Sequence, residues 1–309
     1  MSWRMKRVRG WHALLVVGCA ACAAPASEHG EPKLLLVGLD GVRVDVLETA
    51  ETPHLDALAA AGFFNDHART ADPTVSGPCW SSMLTGVWPE KHGVLGNDFE
   101  ANRYARYPDF LTRLERADSS FTTYAVVDWP PLGGPASGGP LLSPAIDRIE
   151  LIDGDSLGYR VADSLSVEAA VRALADPNLD AAFVYLGDID VVGHAHGTVG
   201  PEYRAAIEWA DGRIGMLVDA IRRRPTFEDE DWLVLVSTDH GQTDAGSHGG
   251  ESAVERTVFF VASGGAARPT AEGEVRIVDV AATALAHLGV AIEPAWALDG
   301  RPVGLADRP

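Results

Sequence analysis

The chain has 309 residues, 46% of them hydrophobic, enough for a sizeable core and, on length alone, for two domains. Its 44 acidic against 25 basic residues give a formal net charge of −19, a surface that repels polyanions and excludes a nucleic-acid polymer as partner. Three cysteines, Cys19, Cys22 and Cys79, exclude a disulfide framework, so stability must come from packing.

In chain order, residues 1–18 read as an export signal, with Arg4, Lys6, Arg7 and Arg9 ahead of an apolar stretch at 13–17 that is too short to span a bilayer. Val16, Val17, Gly18 and Cys19 have the form of a bacterial lipobox, in which Cys19 would be lipidated and become the first mature residue. Cys22 is the weaker alternative, and an ordinary signal peptide cleaved among residues 20–24 is the plain one. Either way the expectation is an exported protein, periplasmic or at the cell surface, and a membrane-anchored lipoprotein if Cys19 is modified. Residues 19–32, small and polar, read as a flexible tether, and 33–309 as one domain without a convincing internal linker or repeat.

Within that domain, short apolar runs alternate with helical patterns, the signature of a layered α/β domain. Strands are expected at 33–39, 123–127, 182–186, 232–236 and 258–262, and helices at 53–61, 167–175, 202–223 and 277–288. Ala210, Ile214, Leu217, Val218 and Ile221 recur at helical spacing and form the core face of their helix. The Pro/Gly-rich stretch 129–144 is the best candidate for a break and reads as a long loop near the site.

Three of these strands run into carboxylates. The first ends in Asp40 and Gly41, the third in Asp188, Ile189, Asp190 and, four residues on, His194, and the fourth in Asp239, His240 and a glycine-rich loop carrying His248. Strand ends are where open α/β sheets build their sites. Charges gathered there without a counterion would repel one another by ~4 kcal/mol per pair at 4 Å and intermediate dielectric. Divalent ions remove that conflict, and mixed carboxylate and imidazole ligands suit them. Asp188 and His196 are the nearest competitors for Asp190 and His194. Each Asp could instead cap the next helix, but that leaves His194, His240 and His248 unexplained.

Residues 71–86, ADPTVSGPCWSSMLTG, supply a candidate nucleophile. Ser76 stands before Gly77, Pro78 and a helix-like run at 79–84, which puts its hydroxyl at a helix N-terminus where anions are welcome. Free serine is a weak nucleophile, and a neighbouring divalent ion would activate it without a histidine base. The plain alternative is that Ser76 or Thr74 caps the helix.

PTVSGPCWSSMLTG followed by WPEKHGVLGN resembles the nucleophile segment of the alkaline phosphatase superfamily, and most closely its type I phosphodiesterase/nucleotide pyrophosphatase branch. The resemblance covers about residues 33–309, from TPHLDALAAAG to VDVAATALAHLG. It implies a single α/β/α domain with a central, mostly parallel mixed sheet flanked by helices on both faces. Ser76 takes the place of the branch's threonine nucleophile and Asn97 that of the asparagine that helps hold the phosphoryl oxygen. The pattern further implies one metal site from Asp190, His194 and His248 and another from Asp40, Asp239 and His240 with Ser76 approaching it. Two zinc ions are expected, with manganese as the alternative. The implied reaction is hydrolysis of small phosphate esters through a covalent phospho-serine, with Asn97 and the backbone at Gly77 stabilising the nonbridging oxygens.

This chain departs from the pattern at Gly77, where the branch usually carries an aromatic that stacks on a nucleobase. Trp129 and Pro130 resemble the branch's tryptophan-proline loop beside the leaving group, or else simple packing; Trp80 and Trp88 read as core or rim. A sulfatase is disfavoured because Ser81 stands where its modification motif needs arginine. The GSHGG spacing is also similar to ethanolamine-phosphate transferases, so a phosphoethanolamine-type transferase stays open. A non-catalytic zinc-binding surface lipoprotein is the third reading.

Overall fold

The apolar runs at 33–39, 123–127, 182–186, 232–236 and 258–262 all become strands of one sheet. The computed structural model describes residues 30–134 and 140–306. The expected export signal, Cys19, Cys22 and most of the tether lie outside them. In chain order the strands are β1 Glu31–Leu39, β2 Phe63–Arg69, β3 Thr123–Val127, β4 Arg148–Leu151, β5 Ala181–Leu186, β6 Glu230–Thr238 and β7 Thr257–Gly264. Their order across the sheet is β2-β7-β6-β1-β5-β3-β4. The five strands from β6 to β4 run parallel, and β7 pairs antiparallel with both β6 and β2. Glu31 and Pro32, read as the end of the tether, already pair with Glu230 and Asp231, so the domain starts slightly earlier than expected.

Both faces of the sheet are covered. Leu34 and Leu36 of β1 pack in one apolar cluster with Trp80, Met83, Leu84, Ala281 and Leu285, whereas Leu35, Val37 and Leu39 pack in the other with Val167, Ala170, Ile207 and Ile214. A strand buried on both sides reads as a continuous hydrophobic run, which is why β1, β5 and β6 were visible as unbroken apolar segments. The helices Pro53–Ala61, Tyr159–Leu174 and Pro201–Arg222 cover the second face, and Ser76–Thr85, Phe110–Ala117 and Asp279–His287 the first. The result is the expected mixed-sheet α/β/α sandwich. Among the described residues no helix is long and apolar enough to cross a membrane.

The two strands that the pattern missed, β2 and β4, are the outermost in the sheet. An edge strand is half solvated and carries weak alternation; FFNDHAR and RIEL are largely exposed or intermediate in burial. The helix Tyr159–Leu174 starts eight residues before the expected 167. Its first turns are inverted in polarity: Asp163 and Ser166 are buried while Val161 and Leu165 are exposed, which defeats a search for an apolar stripe.

Candidate active site

The strands that end in carboxylates are neighbours. β1 lies between β6 and β5, and the register pairs Leu39 with both Thr238 and Leu186. One residue on, Asp40 and Asp239 therefore stand side by side on adjacent parallel strands, which are ~5 Å apart. β5 leads through Gly187 into the helix Asp188–His196, where Asp190 and His194 are one turn apart on one face.

Asp40, Asp239 and His240 form an inner group. Their ligand atoms lie within 4.8 Å of one another, and all three residues are buried. Asp40 uses Oδ2 to accept from Trp80 Nε1 (2.9 Å) and from the Tyr185 hydroxyl (2.6 Å). Asp239 uses Oδ1 to accept the Gly41 N–H (3.1 Å). That leaves Asp40 Oδ1 and Asp239 Oδ2 buried without a hydrogen-bond partner. Both face His240 Nε2, at 3.5 and 3.3 Å. Burial, with the Asp190 charge adding to it, pushes Asp40 up to about 7. Burial and the Asp40 charge likewise hold Asp239 well above the usual carboxylate range. Burial pushes His240 down to about 3, so its ring is neutral. Two orphaned carboxylate oxygens and a neutral imidazole lone pair converging on one point are what a divalent cation requires.

Asp190, His194 and His248 form an outer group. His194 Nε2 is 3.2 Å from Asp190 Oδ2 and 3.1 Å from His248 Nε2, which is itself 3.7 Å from Asp190 Oδ1. His240 joins the two groups, since its ligand atom, with those of Asp190 and His248, also falls within 4.8 Å, and its ring stacks on that of His248 at 3.9 Å. The hydrogen bond and charge of Asp190 raise His194 to about 9. Burial works against ionisation of Asp190, but the hydrogen bond and charge of His194 outweigh it and keep its carboxyl below the usual range.

All three imidazoles are oriented by backbone carbonyls. Nδ1 of His194 faces Gly246 O (2.6 Å), that of His240 faces Gly241 O (3.1 Å) and that of His248 faces Thr74 O (2.9 Å). A carbonyl accepts only, so each Nδ1 carries a proton and each Nε2 is turned toward the site; that of neutral His240 presents a lone pair, whereas that of His194, raised to about 9, also carries a proton and donates to Asp190 in the metal-free fold. This is the outer-shell arrangement of metal-ligating histidines. In the outer group Nε2 of His194 and Nε2 of His248 stand 3.1 Å apart, and both face the Asp190 carboxylate.

Ser76 is the first residue of the helix Ser76–Thr85 and is nearly buried, with Oγ 3.2 Å from His240 Nε2. It does not cap that helix: Val75 holds the cap position and no side chain bonds there. Thr74 bridges elsewhere, donating to Gly250 O and accepting from Gly249 N–H. The Gly77 N–H, expected to face the nonbridging oxygens, instead donates to Asn97 Oδ1 at 2.8 Å, and Pro78 has no N–H to offer. Gly77 therefore positions Asn97, whose carboxamide nitrogen is left as the donor. A Cβ on residue 77 would lie 2.3 Å from the Gly96 carbonyl, so the 96–97 turn fills the place of any side chain there.

Several contributors carried no warning in the sequence. Trp80, assigned to core or rim, is fully buried, packs edge-on against Tyr185 at 5.0 Å and donates to Asp40. Gly38 makes room for it, since a Cβ there would meet the indole at 2.4 Å. Gln242 Nε2 donates to both the backbone oxygen (3.2 Å) and Oδ1 of Asp190. Of the competitors, Asp188 is taken by Arg160 at 2.8 Å, and His196 is exposed at the helix end. Trp129 is half-buried against Phe99, ring centres 5.7 Å apart, and residues 135–139 of the following loop lie outside the described set. Trp88 is half-buried, and its backbone N–H donates to Asp299 Oδ2.

Human ectonucleotide pyrophosphatase/phosphodiesterase family member 7 is 25% identical over 261 residues, 79% of this chain and 56% of that protein. The chain thus spans about half the length of the curated relatives it matches. Murine ectonucleotide pyrophosphatase/phosphodiesterase 5, solved in complex with AMP, shares the fold with a TM-score of 0.64 at 16% identity over 84% of this chain and 96% of that one. A 2-O GAG sulfatase shares it equally, with a TM-score of 0.66 at 15% identity over 85% and 72% of the two chains. Fold alone does not separate the branches; the family model does, matching residues 34–255 as type I phosphodiesterase/nucleotide pyrophosphatase. The chain belongs to the type I phosphodiesterase/nucleotide pyrophosphatase family of the alkaline phosphatase superfamily.

Proposed function

We propose that this protein is a metal-dependent phosphoric ester hydrolase that acts outside the cytoplasm on small phosphate esters, with Ser76 as nucleophile. The observation that carries the proposal is the position of Ser76 Oγ, 3.2 Å from His240 Nε2 and beside two buried carboxylate oxygens that have no partner. Asp40, Asp239 and His240 would hold one ion, and Asp190, His194 and His248 a second. Divalent ions bound there, zinc by the ligand chemistry, supply the charge that lowers the serine pKa and polarises the phosphoryl oxygens.

The chain's own residues do the rest. Ser76 attacks phosphorus in line as the leaving oxygen departs, forming an O-phosphoserine. The Asn97 carboxamide, held by Gly77, donates to a nonbridging oxygen as negative charge grows on it. Water entering from the opposite side then displaces Ser76, so two inversions give net retention. His240 stays neutral throughout, consistent with its depressed pKa. The crowding at Gly77 removes the position from which an aromatic would stack on a base, which supports small esters over an obligate nucleotide. The export signal read at 1–18, with Cys19 as lipid site, supports action at the periplasmic or cell surface.

The test is turnover of bis-p-nitrophenyl phosphate and p-nitrophenyl phosphate by the purified protein with added zinc. Wild type should hydrolyse at least one of them, chelation should abolish the rate, and acid-quenched protein should carry phosphate on Ser76. Undiminished turnover by Ser76→Ala would overturn the proposal.

A further inference from the structure

Three segments carry the six metal-ligand candidates: the end of β1 with Asp40, the helix Asp188–His196 with Asp190 and His194, and the stretch beyond β6 with Asp239, His240 and His248. Strand register fixes Asp40 and Asp239. The outer group has no strand register: His194 lies in the last turn of its helix and His248 on a loop without secondary structure, each ring oriented by one backbone carbonyl, Gly246 O and Thr74 O.

One side chain ties these segments together. Arg43, 5% exposed, donates through Nη1 to Thr198 Oγ1 (2.8 Å) and to Asp244 Oδ1 (2.5 Å). Its Nε and Nη2 are gripped by both oxygens of Asp45, at 3.0 and 2.6 Å, which fixes the plane of the guanidinium. Its backbone N–H donates to the Tyr203 hydroxyl at 2.9 Å, which donates in turn to Gly41 O. Thr198 passes the link on, with Oγ1 donating to Thr243 O (2.9 Å) and N–H donating to Asp244 O (3.1 Å). Thr243 O also accepts the Gly246 N–H, and Gly246 O is the carbonyl that orients His194. The clasp therefore reaches the turn after His194 and the loop that leads to His248, from a base beside Asp40.

We propose that Arg43 is a positioning residue for the outer metal site: by clasping Thr198 and Asp244 it sets the spacing of His194 and His248, and with it the affinity of that site. The inner site is set by strand register and does not depend on the clasp. This rests on the two-site reading above. Asp244 has a side chain 78% exposed, and an ion pair with so open a partner adds little to stability, so loop geometry is its main contribution. Lysine keeps the charge but cannot make the forked contacts, so Arg43→Lys is a disruptive change.

The experiment is zinc titration of metal-free wild type, Arg43→Lys and Asp244→Ala by calorimetry and chelator competition, with His248→Ala marking the outer event. Wild type should bind two ions. Both clasp variants should keep the inner event and weaken the outer one by roughly 10–100-fold, the range for lost outer-shell support. Excess zinc should restore their turnover. Should Arg43→Lys fail to fold, Asp244→Ala alone decides. Two events of wild-type affinity in Asp244→Ala overturn the proposal while leaving the two-site reading intact. A wild type that binds a single ion overturns both.

Discussion

Replacing Asp40 by asparagine should reverse its effect on stability according to whether metal is present. In the metal-free fold, burial raises this carboxyl from 3.8 to about 7, a shift of roughly 3 units that corresponds to about 4 kcal/mol of unfavourable ionisation. The sign follows from proton counting. Between 4 and 7 the folded state keeps a proton that the unfolded state has released, so this group's contribution to stability falls as pH rises and is fully lost above 7. The substituted carboxamide has no charge to bury. Its oxygen can still accept from Trp80 and Tyr185, and its nitrogen can donate to the His240 Nε2 lone pair that Asp40 Oδ1 faces at 3.5 Å. Without metal at pH 8, Asp40→Asn should therefore melt above wild type by up to about 16 °C, at roughly 2–4 °C per kcal/mol for a domain of this order. The gain should vanish near pH 4, where both side chains are neutral. With zinc the order should invert, because the variant has lost an anionic ligand. Thermal melts of both proteins with and without chelator, from pH 4 to 8, provide the assay. A variant that is less stable than wild type under chelator at pH 8 would refute the claim that this carboxylate is held against its own desolvation for a cation.

Other outcomes follow from the same geometry. Asn97→Ala should lower kcat by roughly 10²–10³-fold with a smaller change in KM, as expected for a donor used mainly in the transition state, and steady-state kinetics would show it. Gln242→Leu removes the donor to Asp190 and should weaken zinc binding by roughly 10–100-fold without unfolding, measured by chelator competition. Gly77→Ala drives a Cβ into the Gly96 carbonyl, so it should displace Asn97 and reduce turnover while leaving zinc stoichiometry at the wild-type value. Ser76→Ala should lose at least about a thousandfold in kcat and retain its metal, which separates nucleophile from ligand loss by comparing rates with metal content.

The candidate site residues announce themselves in the sequence more clearly than the residues that hold them in place. Asp40, Asp239 and His240 were legible because each follows an unbroken apolar run, and a polar cluster at the end of a buried strand has few structural uses. Asp190 and His194 were legible because four residues on a helix make one face. Trp80, Tyr185 and Gln242 carry no such mark: each lies in a segment that reads as core or loop, and only tertiary contact shows that its polar end is spent on Asp40 or Asp190. Arg43 likewise resembles any arginine after a strand until Thr198 and Asp244, some 155 and 201 residues away, are seen beside it. The same limit explains the elements. β1 and β6 are central and buried on both sides, whereas β2 and β4 are edges whose exposure erases their pattern. Gly77 shows the opposite case, a backbone donor implied by the family resemblance whose N–H is bonded to Asn97 in this structure.

The most direct measurement is a crystal structure of the zinc-loaded protein with anomalous data collected on both sides of the metal edge. Two peaks are predicted: one bounded by Asp40 Oδ1, Asp239 Oδ2 and His240 Nε2 within reach of Ser76 Oγ, the other by Asp190, His194 Nε2 and His248 Nε2. A zinc-loaded chain with no peak between Asp40 and Asp239, or with its ions bound away from Ser76, would contradict the account.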